Sequence, residues 1–143
     1  MSRDALFEAF RDFPPRLAAA ATAADGRPMP AGEWGPAEIA RHLIAVEREV
    51  WWTRFASIIE EDEPHWAWTE PGLEPGLDGV PLAEILERFS SARARSVSIL
   101  DGFDEAAWVR TGVHATYGRL DVVRLLGIVT NHDAEHLASL TEG

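Results

Sequence analysis

The sequence contains no cysteine in its 143 residues. Disulfide bonds, thiolate metal ligands and a cysteine nucleophile are therefore excluded. It also lacks an uninterrupted apolar run of about 18 residues, which a membrane-spanning helix would need. Tandem repeats and low-complexity tracts are missing as well. With 46% hydrophobic residues, the chain suffices for one ordinary core, and we expect residues 1–143 to form one domain.

Positive charge is scarce. There are 13 basic and 24 acidic residues, so the formal net charge is −11. Nucleic-acid binding requires a basic surface that displaces counterions from phosphates, and anionic membranes favour basic surfaces for the same reason. Asp4 and Glu8 lie where a secretory signal would be basic and then apolar. We therefore expect a cytoplasmic protein with no nucleic-acid or membrane partner.

Proline and glycine divide the chain into four stretches long enough for helices. Apolar residues recur at helical spacing in each stretch, and no alternating strand pattern is found. We predict an all-α four-helix bundle with helices at about residues 4–24, 35–61, 81–101 and 119–141. Pro14 and Pro15 predict a kink or a restart in the first helix. Residues 103–118 are expected to be irregular, with one short helical turn around 105–108.

Two of the five histidines, His132 and His136, are four residues apart in the last predicted helix. That spacing places both imidazoles on one face with a rise of about 6 Å, within reach of a single ion. Both continue the apolar stripe that contains Val129. His42 continues the stripe of the second helix after Ile39 in the same way. Three inward imidazoles require polar partners, and one divalent metal ion supplies all three.

A site with three histidine ligands and an open fourth position is typical of catalytic metal centres. The spacing therefore predicts His42, His132 and His136 as ligands of a divalent metal ion. The alternative is that each is a core histidine bonded to a backbone carbonyl or a carboxylate. Residues 132–136 (HDAEH) also match the inverted zinc-protease motif, but that motif requires a further ligand downstream and a much larger fold. We reject the protease interpretation.

Several segments resemble signatures of the DinB/YfiT-like proteins. Residues 34–43 (WGPAEIARHL), followed by Glu47, are similar to the start of that family's second helix. Residues 117–120 (YGRL) and 131–137 (NHDAEHL) are similar to the approach to its last helix and to the core of that helix. The resemblance covers essentially the whole chain.

Two further positions bear on this resemblance. Phe89 with Arg93 is similar to part of the family's third helix. Gly35 stands where the family usually has a serine helix cap, a difference that does not affect the histidines.

The resemblance implies a four-helix bundle, often dimeric, with one histidine of the second helix and two of the fourth holding a divalent metal, commonly zinc or nickel. Carried over to this chain, the ligands are His42, His132 and His136. Relatives include transferases and isomerases that use low-molecular-weight thiols such as bacillithiol or mycothiol. We therefore expect a metal-dependent enzyme acting on a small molecule, either a thiol-dependent S-transferase or a hydrolase. The alternative is a non-catalytic protein that binds a metal or another ligand in a stress response.

Other side chains are candidates for roles beside the metal. Such an ion would lower the pKa of a bound water or thiol. Glu49 follows His42 by seven residues on the same predicted face and is a candidate general base. Asp133 is a candidate for orienting a ligand ring, and Arg93 or Tyr117 for binding an anionic substrate. Each is alternatively a solvated or structural residue.

Tryptophan is frequent, with six residues in the chain. Trp51, Trp52 and the segment 65–68 (HWAW) are candidates for the wall of an apolar pocket, although core filling and a dimer seam explain them as well. His65 and His114 are expected at the surface or packed in loops. An aromatic surface on so acidic a chain favours a homodimer.

Overall fold

Four long helical segments make up the bundle in the computed structural model, which describes residues 1–141. The predicted all-α four-helix bundle is confirmed as the overall architecture, and a small sheet is added to it. The helices are α1 (Arg3–Ala24), α2 (Pro36–Val46), α3 (Trp52–Glu60), α4 (Leu82–Asp101), the short α5 (Glu105–Trp108) and α6 (Val122–Thr141). A π-helical turn (Glu47–Trp51) joins α2 to α3, so the two form one continuous helical segment.

Helix α1 continues through Pro14 and Pro15, so the predicted kink or restart is not a break in the helix. A proline has no N–H group, and Pro14 therefore leaves the carbonyl of Phe10 without its helical donor. Arg93 of α4 supplies the missing donor, since its Nη1 lies 2.9 Å from the Phe10 carbonyl oxygen. The proline is tolerated because tertiary structure satisfies the group that it frees.

A small three-stranded sheet accompanies the bundle, and no strand was predicted from the sequence. β1 (His65–Trp66) pairs in parallel with β2 (Thr111–His114), which pairs antiparallel with β3 (Gly118–Asp121). The strands have two to four residues, too few for an alternating pattern to be recognised. Because β3 occupies residues predicted as helical, α6 begins at Val122 rather than at residue 119.

The core has two apolar clusters along the bundle axis. One includes Phe10 and Phe55, whose rings lie edge to face 5.9 Å apart, and the other includes Phe13 and Phe89 with the same arrangement and distance. The guanidinium of Arg93 lies 4.1 Å from the Phe10 ring centroid and is 1% exposed. A charge in so apolar a place requires close partners.

Two carboxylates pair with this buried guanidinium. Its Nε donates to Glu47 at 3.0 Å, and its two terminal nitrogens donate to the two oxygens of Asp133 at 2.9 Å each. With the Phe10 carbonyl, the network joins α1, the π turn, α4 and α6. Burial raises the pKa of Glu47 and of Asp133, and Arg93 opposes that effect.

No helix within residues 1–141 is long and apolar enough to span a membrane.

Candidate functional site

The three predicted histidines meet between α2 and α6. His42 lies in α2, while His132 and His136 lie one turn apart on α6. One ring nitrogen from each residue can be chosen so that all three atoms lie within 4.8 Å of one another. The ring centroids are 4.6 Å apart for His132 and His136, and 5.1 Å apart for His42 and His136. These separations allow three imidazoles to converge on one ion.

A backbone contact sets the tautomer of His42. Its Nδ1 lies 3.1 Å from the carbonyl oxygen of Gly72, which can only accept, so Nδ1 carries the proton. In the neutral ring the other nitrogen, Nε2, then has the lone pair that a metal ion needs. The Pro/Gly-rich loop that contains Gly72 therefore orients the ring from the side opposite to its free nitrogen.

His132 and His136 are held in their neutral form. Burial, reinforced by the neighbouring histidines, lowers the pKa of each from 6.5 to about 4. A neutral imidazole is the form that binds metal. Nδ1 of His132 is buried and has no hydrogen-bond partner within residues 1–141, an unfavourable state for a polar atom. Nδ1 of His132 has no other partner, His136 is neutral, and the Gly72 carbonyl orients His42. The three residues therefore form a donor set that fits a divalent metal ion.

Two of the three histidines open onto a cavity of about 410 Å³, and His136 is not among its lining residues. His42 and His132 line one part of it. The other lining residues are apolar or polar. The apolar ones are Trp34, Val46, Val50, Trp51, Trp68, Pro71 and Ile128, and the polar ones are Arg54, Thr69, Glu70, His114, Tyr117, Asn131 and Glu135. A volume of this size accommodates a small molecule.

Comparison with known proteins identifies the family and agrees with the fold. The sequence profile of the DinB superfamily matches residues 1–140. This chain belongs to the DinB superfamily. A similar solved structure is YfiT from Bacillus subtilis, described as a probable metal-dependent hydrolase with an unusual four-helix bundle topology. The two share 18% sequence identity and superpose with a TM-score of 0.75, over 99% of this chain and 87% of that one. No curated protein matches this chain.

Contrary to the prediction from helical spacing, Glu49 does not share a face with His42. Its side chain is 43% exposed, lies 3.8 Å from Arg48 and is absent from the cavity lining. The prediction assumed an uninterrupted α-helix, whereas a π turn needs an additional residue and shifts the face. Val50 takes the cavity position instead. The candidate general base is therefore misplaced.

The predicted roles of Asp133 and Arg93 are also wrong. Both oxygens of Asp133 accept hydrogen bonds from Arg93, at 2.9 Å each, in the buried network described above. Within residues 1–141, Asp133 accepts no hydrogen bond from a histidine ring and therefore does not orient one. Arg93, fully engaged in that network, is unavailable to an anionic substrate.

Glu135 is the acidic side chain that the sequence analysis passed over. It lines the cavity together with His132, and its Oε1 accepts a hydrogen bond from Asn131 at 3.2 Å. Its charge also acts on the nearby His136, raising the pKa of that ring against the effect of burial. The signal was present in the spacing, because Glu135 follows His132 by three residues on a helix. Glu135 is the glutamate of the HDAEH segment, whose resemblance to the protease motif does not extend to the fold.

His114, expected at the surface or packed in a loop, lies in the cavity wall together with Tyr117, the candidate for contact with an anionic substrate. His114 is 2% exposed, and Tyr117 stacks beside it with ring centroids 4.7 Å apart. Tyr117 thus stays a candidate for contact with a substrate. His65 is exposed, as expected.

The tryptophans divide between the two interpretations. Trp34, Trp51 and Trp68 line the cavity. Trp52 instead donates to the Ala92 carbonyl at 2.8 Å, and Trp66 donates to Ser57 at 3.0 Å, so these two have structural roles. The homodimer stays a prediction.

Acid should destabilise the metal-free protein through the two low-pKa histidines. Between about pH 6.5 and pH 4 the unfolded chain binds more protons at these positions than the folded one, since the folded pKa values are about 4. Their contribution to stability is complete above about pH 6.5 and is lost as the pH falls toward 4. We expect the free energy of unfolding to drop by roughly 2 kcal/mol or more over this interval.

Denaturant titration across that pH range measures the drop. A variant with His132→Asn and His136→Asn is the control, because asparagine does not titrate. An identical pH dependence in the control would contradict the assignment.

Proposed function

We propose that this protein is a metal-dependent hydrolase of a small molecule, with zinc or nickel held by His42, His132 and His136. The observation that carries the proposal is the convergence of the three imidazoles, with one ring nitrogen of each within 4.8 Å of the others, beside a cavity of about 410 Å³ that His42 and His132 line. When bound, a divalent ion with an open position polarises a substrate carbonyl and lowers the pKa of a water molecule. The description of YfiT as a probable metal-dependent hydrolase supports the same activity.

The protein's own residues have distinct tasks in this proposal. His42 is oriented by the Gly72 carbonyl. Glu135 is the general base: its carboxylate lies in the cavity wall beside His132 and accepts a proton from the attacking nucleophile. The aromatic walls around Trp51 exclude water and hold the apolar part of the substrate.

A thiol-dependent S-transfer uses the same centre with another nucleophile. The chain has no cysteine, so the thiol has to be a low-molecular-weight co-substrate. The two reactions differ in whether the thiol is consumed, and one assay separates them.

The test is turnover by the zinc- or nickel-loaded protein on a panel of small carboxylic esters and amides, with and without an added thiol. We expect hydrolysis that disappears on chelation. Glu135→Gln should lower kcat by about 10²- to 10⁴-fold with the metal content unchanged, the usual contribution of a general base.

Glu49→Gln is the matched control, because that exposed acid lies outside the cavity, and its activity should equal that of the wild type. Thiol consumption in step with product would indicate the S-transferase. Binding without turnover in the loaded protein would favour the non-catalytic alternative.

A further inference from the structure

Arg54 is a buried cation with no acidic partner. It lies in α3, is 6% exposed and forms no ion pair within residues 1–141. Its guanidinium carbon lies 5.7 Å from the Trp51 ring and 5.8 Å from the Trp66 ring. The other deeply buried guanidinium, Arg93, has two carboxylates. An arginine stays charged at neutral pH, so Arg54 is an uncompensated charge in an aromatic surrounding.

Arg54 lines the cavity, and its side chain makes a single hydrogen bond within residues 1–141. Nη2 donates to the Ala67 carbonyl at 3.1 Å, which uses one of the five N–H groups of the side chain. Arg54 lines the same cavity as His42 and His132. Trp51 lies between the two regions, since its ring is 5.7 Å from the His132 ring as well as 5.7 Å from the guanidinium.

His114 adds a second donor to this part of the wall. Its Nδ1 accepts from the backbone N–H groups of Thr116 and Tyr117 at 2.9 Å and 3.2 Å, so the ring proton is on Nε2. Burial, together with the charge of Arg54, lowers the pKa of His114 and keeps the ring neutral. Tyr117 lines the same cavity, with its ring centroid 4.7 Å from that of His114.

We propose that Arg54, with His114 and Tyr117, binds the carboxylate of the substrate, whose apolar body lies along Trp51 and whose other end reaches the three histidines. The identity of the reacting end rests on the proposed function, but the anion site does not. One cation suits a monoanion, and Glu70 and Glu135 in the same cavity disfavour a phosphate dianion. The substrate class is thus a small aromatic or aliphatic monocarboxylate.

Benzoate is the probe, titrated into the chelated protein and monitored by tryptophan fluorescence and by calorimetry. Benzamide has the same body without the charge, and inorganic phosphate tests the other anion. We expect saturable binding of benzoate to the chelated wild type, at least tenfold weaker binding of benzamide, and little competition by phosphate. Arg54→Gln should weaken benzoate binding at least tenfold and leave benzamide binding unchanged, while Arg54→Lys should retain part of the affinity.

Arg110→Gln is the matched control. Arg110 also donates to backbone carbonyls, those of Ile58 and Glu61, but it is absent from the cavity lining. Its benzoate affinity should equal that of the wild type. Should Arg54→Gln fail to fold, Tyr117→Phe removes only a hydroxyl from an exposed side chain and should still weaken benzoate binding severalfold.

Several results would overturn the proposal. Equal benzoate affinity in the wild type and in Arg54→Gln would mean that Arg54 has only a structural role, as a hydrogen-bond donor to the Ala67 carbonyl. Binding that requires added zinc or nickel would assign the carboxylate to the metal centre, and stronger binding of phosphate would assign another anion. Loss of ester hydrolysis alone affects only the proposed function, because the titration uses metal-free protein.

Discussion

Replacing Arg93 with methionine should lower the free energy of unfolding by about 3–5 kcal/mol, the usual result of removing one member of a buried ionic network. The variant leaves the Glu47 and Asp133 carboxylates, 0% and 3% exposed as residues, without their guanidinium. It also leaves the Phe10 carbonyl without a donor. Denaturant unfolding at neutral pH measures the loss.

The pH dependence of that loss identifies its cause. Without Arg93, the pKa values of both buried carboxyls should rise further, so the folded variant binds protons more readily than the unfolded chain. The difference between wild type and variant should therefore shrink as the pH falls from 7.5 to 5. Arg88→Met on the same helix is the control, since Arg88 is exposed and its one ion pair within residues 1–141 is with Glu84 at 3.5 Å. A pH-independent loss would indicate lost packing rather than stranded charge.

Zinc or nickel should stabilise the wild-type protein by about 4 kcal/mol when the free metal is 1,000 times its Kd, because the ion binds the folded state alone. For a chain of this size that corresponds to a rise in Tm of roughly 10 °C or more. The stabilisation should vanish in His42→Ala and in His136→Ala, because two imidazoles no longer hold the ion firmly. Thermal unfolding with and without metal measures the shift, and elemental analysis should give about one ion per chain.

His65→Ala is the matched control for those variants. His65 is exposed in β1 and is not part of the cavity wall, so its variant should keep the metal and the full Tm shift. A wild-type protein that stays metal-free after incubation with both ions would contradict the metal site. The three histidines would then be core residues.

The bundle and the histidine cluster were predictable because they depend on local periodicity. A helix repeats every 3.6 residues, so Val129, His132 and His136 share a face wherever the helix packs. The tertiary structure only had to bring that face against the one that contains His42.

Gly35 also caps its helix despite having no side chain, because its N–H donates to Glu38 at 3.1 Å.

The errors arise where distant segments decide the outcome. The π turn moved Glu49 off the helix face that contains His42, and no local pattern in residues 47–51 predicted that turn. The strands exist because segments 65–66, 111–114 and 118–121 satisfy one another's hydrogen bonds. His114 reaches the cavity through that sheet.

The spacing of side chains along single helices was sufficient to predict the four-helix bundle, the faces of its helices and the three histidines that converge. Contacts between helices decided which charged side chains are paired and which are available to bind a ligand. Arg93 and Arg54 are both arginines on predicted helices, yet one is enclosed by two carboxylates and the other faces a cavity. That difference depends on what lies across the bundle, and it is the difference that assigns one arginine to stability and the other to a ligand.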